Sequence, residues 1–211
     1  MRALILSALT ALTLSSQALA GDLSVVVRNA AGQPVKDAVV TLKPASGGAA
    51  GAPIRFTWPY SVAQQNISFN PFVLIVPAGS NVTFPNKDNV RHHVYSFSPA
   101  KKFELKLYGR DESRSILFDK AGVVALGCNI HDQMIAYVVV VDTAYAAKTG
   151  ADGVALIRNA PAGNAALTVW QPYMKTPRNQ LAKTIAVPAA GGRQEVSVDL
   201  RPAPGAMTMI H

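Results

Sequence analysis

The stretch "GVVALGCNIHDQMIAYVVV" (residues 122–140) sets two strand-length apolar runs on either side of a short loop. That loop begins at Cys128, the only cysteine in the chain, and carries His131 three positions on and Met134 three beyond that. Valine-rich runs of this length favour extended backbone, because β-branched side chains pack well on a pleated surface. Thiol, imidazole and thioether together form a soft ligand set. An unpaired thiol surrounded by two such neighbours reads as metal chemistry rather than as a small buried hydrophobe.

Working outward, the 211-residue chain opens "MRALILSALTALTLSSQALA". Arg2 supplies a one-charge start, an apolar stretch runs to Leu14, and Ala18–Ala20 form a small-residue cleavage site. That layout predicts a signal peptide over residues 1–20, cleaved near Ala20/Gly21, and a periplasmic or secreted protein. No later stretch is long and apolar enough for a membrane span. Export places the lone cysteine in an oxidising compartment, where a thiol without a role is a liability. The formal net charge is +8, but the 20 Lys and Arg are scattered without a run. With export, this argues against nucleic acid and for acidic protein partners or plain solubility.

Short valine-rich runs recur along the chain, including "LSVVVRN", "DAVVTLK", "FVLIVPAGSNVTF", "HHVYSFS", "KFELKLYG", "AALTVW" and "EVSVDL", with a turn signal about every ten residues. The expectation is an all-β, sandwich-type chain. "ASGGAAGAP" (45–53) reads as a linker or long loop, and a second break is expected around 143–153. "DTAYAAKT" (142–149) is expected to form at most a turn or two of helix.

Two imidazoles and a thiolate in one plane, with a long axial thioether, is the arrangement of an electron-transfer copper centre. A second histidine is therefore required, and only His92, His93, His131 and His211 exist. Alternation puts His92 and His93 on opposite faces of their strand, so only one can face a metal. His211, near Met207 and Met209, lies in a tail over 205–211 that is expected to be inert.

The stretch 122–140, together with "PFVLIVPAGSNVTFPNKDNVRHHVYSFS" (71–98), resembles the cupredoxins, the type 1 blue copper proteins, and most closely their amicyanin, pseudoazurin and plastocyanin-like branch. The resemblance covers about 62–141, within an expected domain over 60–142. It implies a Greek-key β-sandwich holding one copper ion through His92, Cys128, His131 and Met134. His93 stands where the family motif H-N-V has asparagine, a residue that braces the ligand loop there. Ile130 and Asp132 flank His131, where relatives often carry proline.

"LSVVVRNAAGQPVKDAVVTLKP" (23–44) and "TGADGVALIRNAPAGNAALTVWQPYMK" (149–175) resemble the two halves of a carboxypeptidase regulatory-like sandwich of transthyretin or Ig-like type. In that family the first half runs directly into the second. The expected organisation is therefore a split second sandwich built from 21–46 with 150–204, with the cupredoxin inserted between its second and third strands. Trp170 and Tyr173 are expected in core packing and at a partly exposed position.

The implied function is a periplasmic electron carrier that docks redox partner proteins around His131, with Lys101, Lys102, Lys106 and Arg110 steering acidic ones. The alternatives are a copper chaperone or buffer, and a non-redox structural or binding module. The sequence contains no G-x-S-x-G, H-E-x-x-H, P-loop or Rossmann fingerprint. A chain with one cysteine and four histidines lacks the ligands of a two-copper or multicopper centre. The expectation is that it is not an enzyme. Oligomeric state is left open.

Overall fold

The computed structural model describes residues 20–47 and 53–203. The expected signal peptide (up to Leu19), the middle of the expected linker and the tail bearing His211 lie outside the described residues. Within them the chain forms β1 (Ala20–Asn29), β2 (Val39–Pro44), β3 (Ala63–Gln64), β4 (Phe69–Asn70), β5 (Val73–Pro77), β6 (Ser80–Pro85), β7 (His92–Ser98) and β8 (Lys101–Tyr108). These are followed by β9 (Ser113–Phe118), β10 (Gly122–Cys128), β11 (Ile135–Val141), β12 (Ala146–Lys148), β13 (Val154–Pro161), β14 (Gly163–Trp170), β15 (Gln180–Val187) and β16 (Gly192–Val198). The only helical element among the described residues is a single 3₁₀ turn, Pro177–Asn179. The all-β expectation holds. The segment expected to be at most helical, 142–149, instead contributes β12, which pairs with β2.

Two sets of sheets result. β13-β1-β16 and β12-β2-β14-β15 enclose one core, in which Leu23, Val25 and Val27 of β1 meet Val40 and Leu42 of β2 and Leu167 and Val169 of β14. Period-2 alternation sends these residues inward, as the pleat requires. The second core lies between the five-stranded sheet β5-β11-β10-β7-β8 and a smaller layer in which β6 pairs β9. Parallel bridges Ser61–Thr83 and Gln64–Asn86 set the β3–β4 hairpin beside β6. Residues 53–141 thus stand in sequence between β2 and β12, two strands that pair with each other.

β5 and β11 read as unbroken apolar runs, and the structure supplies the reason. Leu74, Val76, Ala136, Val138 and Val140 face the second core. Their neighbours Val73, Ile75, Val139 and Val141 face the other way, into a third cluster with Val39, Ala146 and Trp170. A strand buried on both faces loses the polar half of its alternation. Trp170 packs edge-on to Tyr137 at 5.3 Å, and Tyr173 stacks on Phe72 at 6.3 Å. Both residues therefore face side chains of the 53–141 segment.

The open edge of β5 is covered as well. The Trp58 indole, stacked on Phe56 at 4.6 Å, donates Nε1–H to the Ile75 carbonyl at 2.8 Å. Lys148 Nζ donates to the Val73 carbonyl at 3.0 Å and pairs with Asp37 at 2.8 Å. Unpaired edge carbonyls that would template another strand are thereby engaged.

Trp170 is only 5 % exposed and has apolar neighbours from both sets of sheets. Trp170→Ala is expected to cost about 3–5 kcal/mol, as large-to-small changes at buried aromatics do. A lower denaturation midpoint checks this, together with faster proteolysis after β11. An unchanged midpoint would show that the two cores do not support one another.

Candidate metal centre

The centre is assembled by one strand pairing and one loop. β7 and β10 run antiparallel, with Cys128 opposite Val94 and Gly127 opposite Tyr95. That register brings the start of β7, His92, beside the end of β10, Cys128. Gly127 gives the Tyr95 ring room to lie across β10, since a Cβ there would fall 2.7 Å from Tyr95 Cζ and make that ring shift. The loop after Cys128 turns back at once, with Met134 N–H donating to the His131 carbonyl at 2.9 Å.

Cys128 Sγ lies 3.9 Å from His92 Nδ1 and 3.8 Å from His131 Nδ1. All three candidate ligand atoms lie within 4.8 Å of one another. An ion bound trigonally, with bonds of about 2.0–2.3 Å to nitrogen and sulfur, separates its ligand atoms by about 3.7 Å. The spacing therefore fits a metal held between three converging donors. Thiolate plus two imidazoles suits copper or zinc. Met134, 1 % exposed, belongs to the same buried cluster as Cys128, and its thioether, if brought to the ion, would favour copper over zinc, which prefers harder donors. His92 is fully buried, whereas His131 is partly open to solvent.

His93 is not brought to this group. Its side chain lies on the opposite face of β7, with the Tyr95 ring 6.0 Å away. Its Nε2 stands 3.0 Å from Glu104 Oε1, a charge contact when protonated but out of line for a hydrogen bond. No side-chain hydrogen bond runs from His93 to the loop at 129–133 among the described residues. The bracing that an asparagine supplies in the resembling family is therefore absent from this position.

Bracing comes instead from Asn86 and Asp88, part of the motif that leads into β7 but given no role by the sequence. Buried Asn86 folds the loop ahead of β7. Its Oδ1 accepts from Asp88 N–H at 2.9 Å, and its Nδ2 donates to the carbonyls of Val90 (2.8 Å) and Tyr108 (3.0 Å). This Asx turn aims Asp88 back at His92, with Oδ2 2.8 Å from Nε2. The same carboxylate accepts Asn66 N–H at 2.6 Å and Ile67 N–H at 3.0 Å. Burial pushes the Asp88 carboxyl up, but the amides of Ile67 and Asn66 and the His92 ring outweigh it and hold it below its usual value. An ionised carboxylate can only accept, so the ring proton of a neutral His92 sits on Nε2 and leaves Nδ1 as the lone pair on the Cys128 side.

Asn66 and Ile67 both have left-handed backbones, φ 55° and 51°. For a β-branched residue this is strained by about 1–3 kcal/mol. The Asp88 contacts help to hold the turn, beside the Gln65 N–H bond to the Ser68 carbonyl at 2.9 Å that closes the β3–β4 hairpin. A signal for them existed in the sequence as an Asp four residues before His92, inside the turn-forming "NKDN".

Below His92, Tyr108 is its cross-strand partner. The phenol donates to the Phe84 carbonyl at 2.8 Å and accepts from Gln64 Nε2 at 2.6 Å. Burial, only partly opposed by the Gln64 hydrogen bond, pushes its pKa up to about 12. A raised folded-state pKa means stability is fully present below the ordinary tyrosine value of about 10 and is lost as pH rises from there toward 12. Alkaline denaturation should therefore show a stability loss over that window. Tyr108→Phe should remove that part of the pH dependence, at a cost of about 1–3 kcal/mol near neutrality from the depleted Gln64 amide. Equal alkaline slopes for both proteins would contradict this.

No protein-family model and no curated protein matches the chain. Among solved structures, a purple cupredoxin from Nitrosopumilus maritimus overlaps 38% of this chain and 98% of its own, at 22% identity and a TM-score of 0.35. A reduced amicyanin mutant overlaps 50% of this chain and 99% of its own, also at 22% identity, with a TM-score of 0.36. A copper-containing nitrite reductase from Thermus scotoductus overlaps 56% of this chain and 28% of its own, at 26% identity and 0.39. These overlaps are partial and loose, so the case for copper rests on the side chains of this molecule.

Proposed function

We propose that this protein carries single electrons through one copper ion of type 1, held by His92, Cys128, His131 and Met134. The observation that carries the reading is the convergence of Cys128 Sγ with two Nδ1 atoms, at 3.8 and 3.9 Å, inside an otherwise apolar cluster. Copper in that position would supply a one-electron Cu(II)/Cu(I) couple. The chain's part is to hold the donors still. His92 and Cys128 sit on paired strands, which limits rearrangement when the charge on the metal changes. Four protein donors leave no open position for a substrate, which is the arrangement of a carrier rather than of an enzyme.

His131 is the proposed exit for the electron, as the ligand open to solvent. Exposed apolar residues stand on the segments that carry or brace the ligands: Ile130 (48 %), Val90 (44 %) and Ile67 (38 %). Exposed apolar side chains of this kind suit brief docking to a partner's own apolar face. Of the four basic residues expected to steer acidic partners, Lys101 is paired with Asp119 at 2.8 Å, and Arg110 with Asn89 and Asp111. Lys102 and Lys106 are exposed and form no ion pair among the described residues, and they are the proposed steering charges. Among the described residues no helix is long and apolar enough to cross a membrane. With the export signal expected in the first twenty residues, the proposed location is the periplasm or the exterior.

The test is visible absorption and EPR of the purified protein after adding Cu(II), beside Cys128→Ala. The expected outcome is an intense thiolate-to-copper band with narrow hyperfine splitting, both lost in the variant. A colourless protein, or tetragonal copper signals indifferent to the substitution, would overturn the electron-carrier reading and leave a binding role.

A further inference from the structure

Among the described residues the one polar contact of the buried His92 ring, apart from Cys128, is a carboxylate, and no Lys or Arg neutralises it. Asp88 accepts from His92 Nε2 at 2.8 Å and from the amides of Asn66 and Ile67 at 2.6 and 3.0 Å. A carboxylate has about four lone-pair sites, so three donors satisfy it well while leaving its negative charge in place. Neither Lys nor Arg pairs with it among the described residues. We propose that Asp88 is a positioning residue of the metal centre. It locks His92 in the Nε2–H tautomer, strengthens Nδ1 as a donor, and so favours the dipositive over the monopositive ion. This deepens, and rests on, the copper reading above.

The physical argument concerns charge. A hydrogen bond from Nε2–H to a carboxylate draws the proton outward and pushes electron density toward Nδ1. The added basicity stabilises a dication more than a monocation. A neutral acceptor in the same place would hold the ring equally well but polarise it less. Asparagine at 88 provides that comparison. Its single amide oxygen can still accept from Nε2–H, while its NH₂ then faces the Asn66 amide, donor against donor. Part of any loss in Asp88→Asn would therefore belong to the turn and not to the metal. Ile67→Gly removes the left-handed strain that the carboxylate holds in check, since glycine adopts this conformation freely. The turn then no longer depends on Asp88.

The experiment titrates the apoprotein with Cu(II), and separately with Cu(I) under reducing conditions, each against a competing chelator. It uses the wild type, D88N, I67G and the I67G/D88N double variant, with midpoint potentials measured on the same four. The expected result is that D88N weakens Cu(II) binding about 10–100-fold, as loss of a carboxylate behind a ligating histidine does. Cu(I) binding should fall clearly less, the potential should rise, and both changes should persist in the I67G background. Equal losses for the two ions, no loss at all, or losses that vanish once Ile67 is glycine would each overturn the proposal and leave Asp88 as a cap for the turn. A wild-type protein without the thiolate-to-copper band would instead sink the copper reading itself. An intact wild-type band with an indifferent D88N would sink only the role of Asp88.

Discussion

Strands β5 and β11 lie parallel in register, Val73 opposite Tyr137 through Pro77 opposite Val141, with apolar side chains on both faces. One face closes the core beneath the candidate metal centre, and the other receives Trp170, Val39 and Ala146 from the other set of sheets. The rest of the molecule hangs on this pair. β11 is also the partner of β10, whose last residue is Cys128. A displacement of β11 would therefore move the thiol, and β10 could not keep its register with β7. The other set of sheets thus buttresses the sheet that holds the candidate ligands, from its far side. This gives a physical purpose to joining two cores through two chain crossings instead of stringing them in series.

At the candidate metal centre the labour is divided between rigid and adaptable parts. His92 and Cys128 are fixed by strand pairing and burial. His131 and Met134 arrive on a loop of a few residues, closed by one turn hydrogen bond. Rigid placement is costly for polar groups, since a buried imidazole needs a partner for each nitrogen. Here the Nε2 side is met by Asp88 and the Nδ1 side faces the thiol. The chain of contacts continues outward, from Asp88 to the strained Asn66–Ile67 turn at the surface. Through it the buried ligand is tied to exposed Ile67 without any loss of burial.

Much of this architecture was legible in the residues. Long alternating or valine-rich runs became strands where expected, because burial of one or both faces is written directly in side-chain polarity. β3, β4 and β12 were not visible. Two or three residues are too few to show a period, and they are strands only because a neighbour supplies the hydrogen bonds. β9 (Ser113–Phe118) was missed for another reason. Its first three residues, Ser113, Arg114 and Ser115, are polar and exposed, so "SRSILF" reads as a loop until β6 pairs with it. The segment 142–149 looked weakly helical from its alanines, yet pairing with β2 overrode that local preference.

By itself, the sequence determined which atoms were available for chemistry: one thiol, four imidazoles, and a Cys-x-x-His-x-x-Met loop between two strands. It also determined that His92 and His93 must point opposite ways, because that follows from the pleat alone. Only the tertiary structure decided which of the two meets Cys128. That choice depends on the register of β7 against β10, 36 residues apart in the chain, and a one-residue slip would have reversed it. The role of Asp88 was also decided in three dimensions. A carboxylate in a turn is ordinarily solvated, and this one matters because folding sets a buried imidazole on one side of it and two unpaired amides on the other.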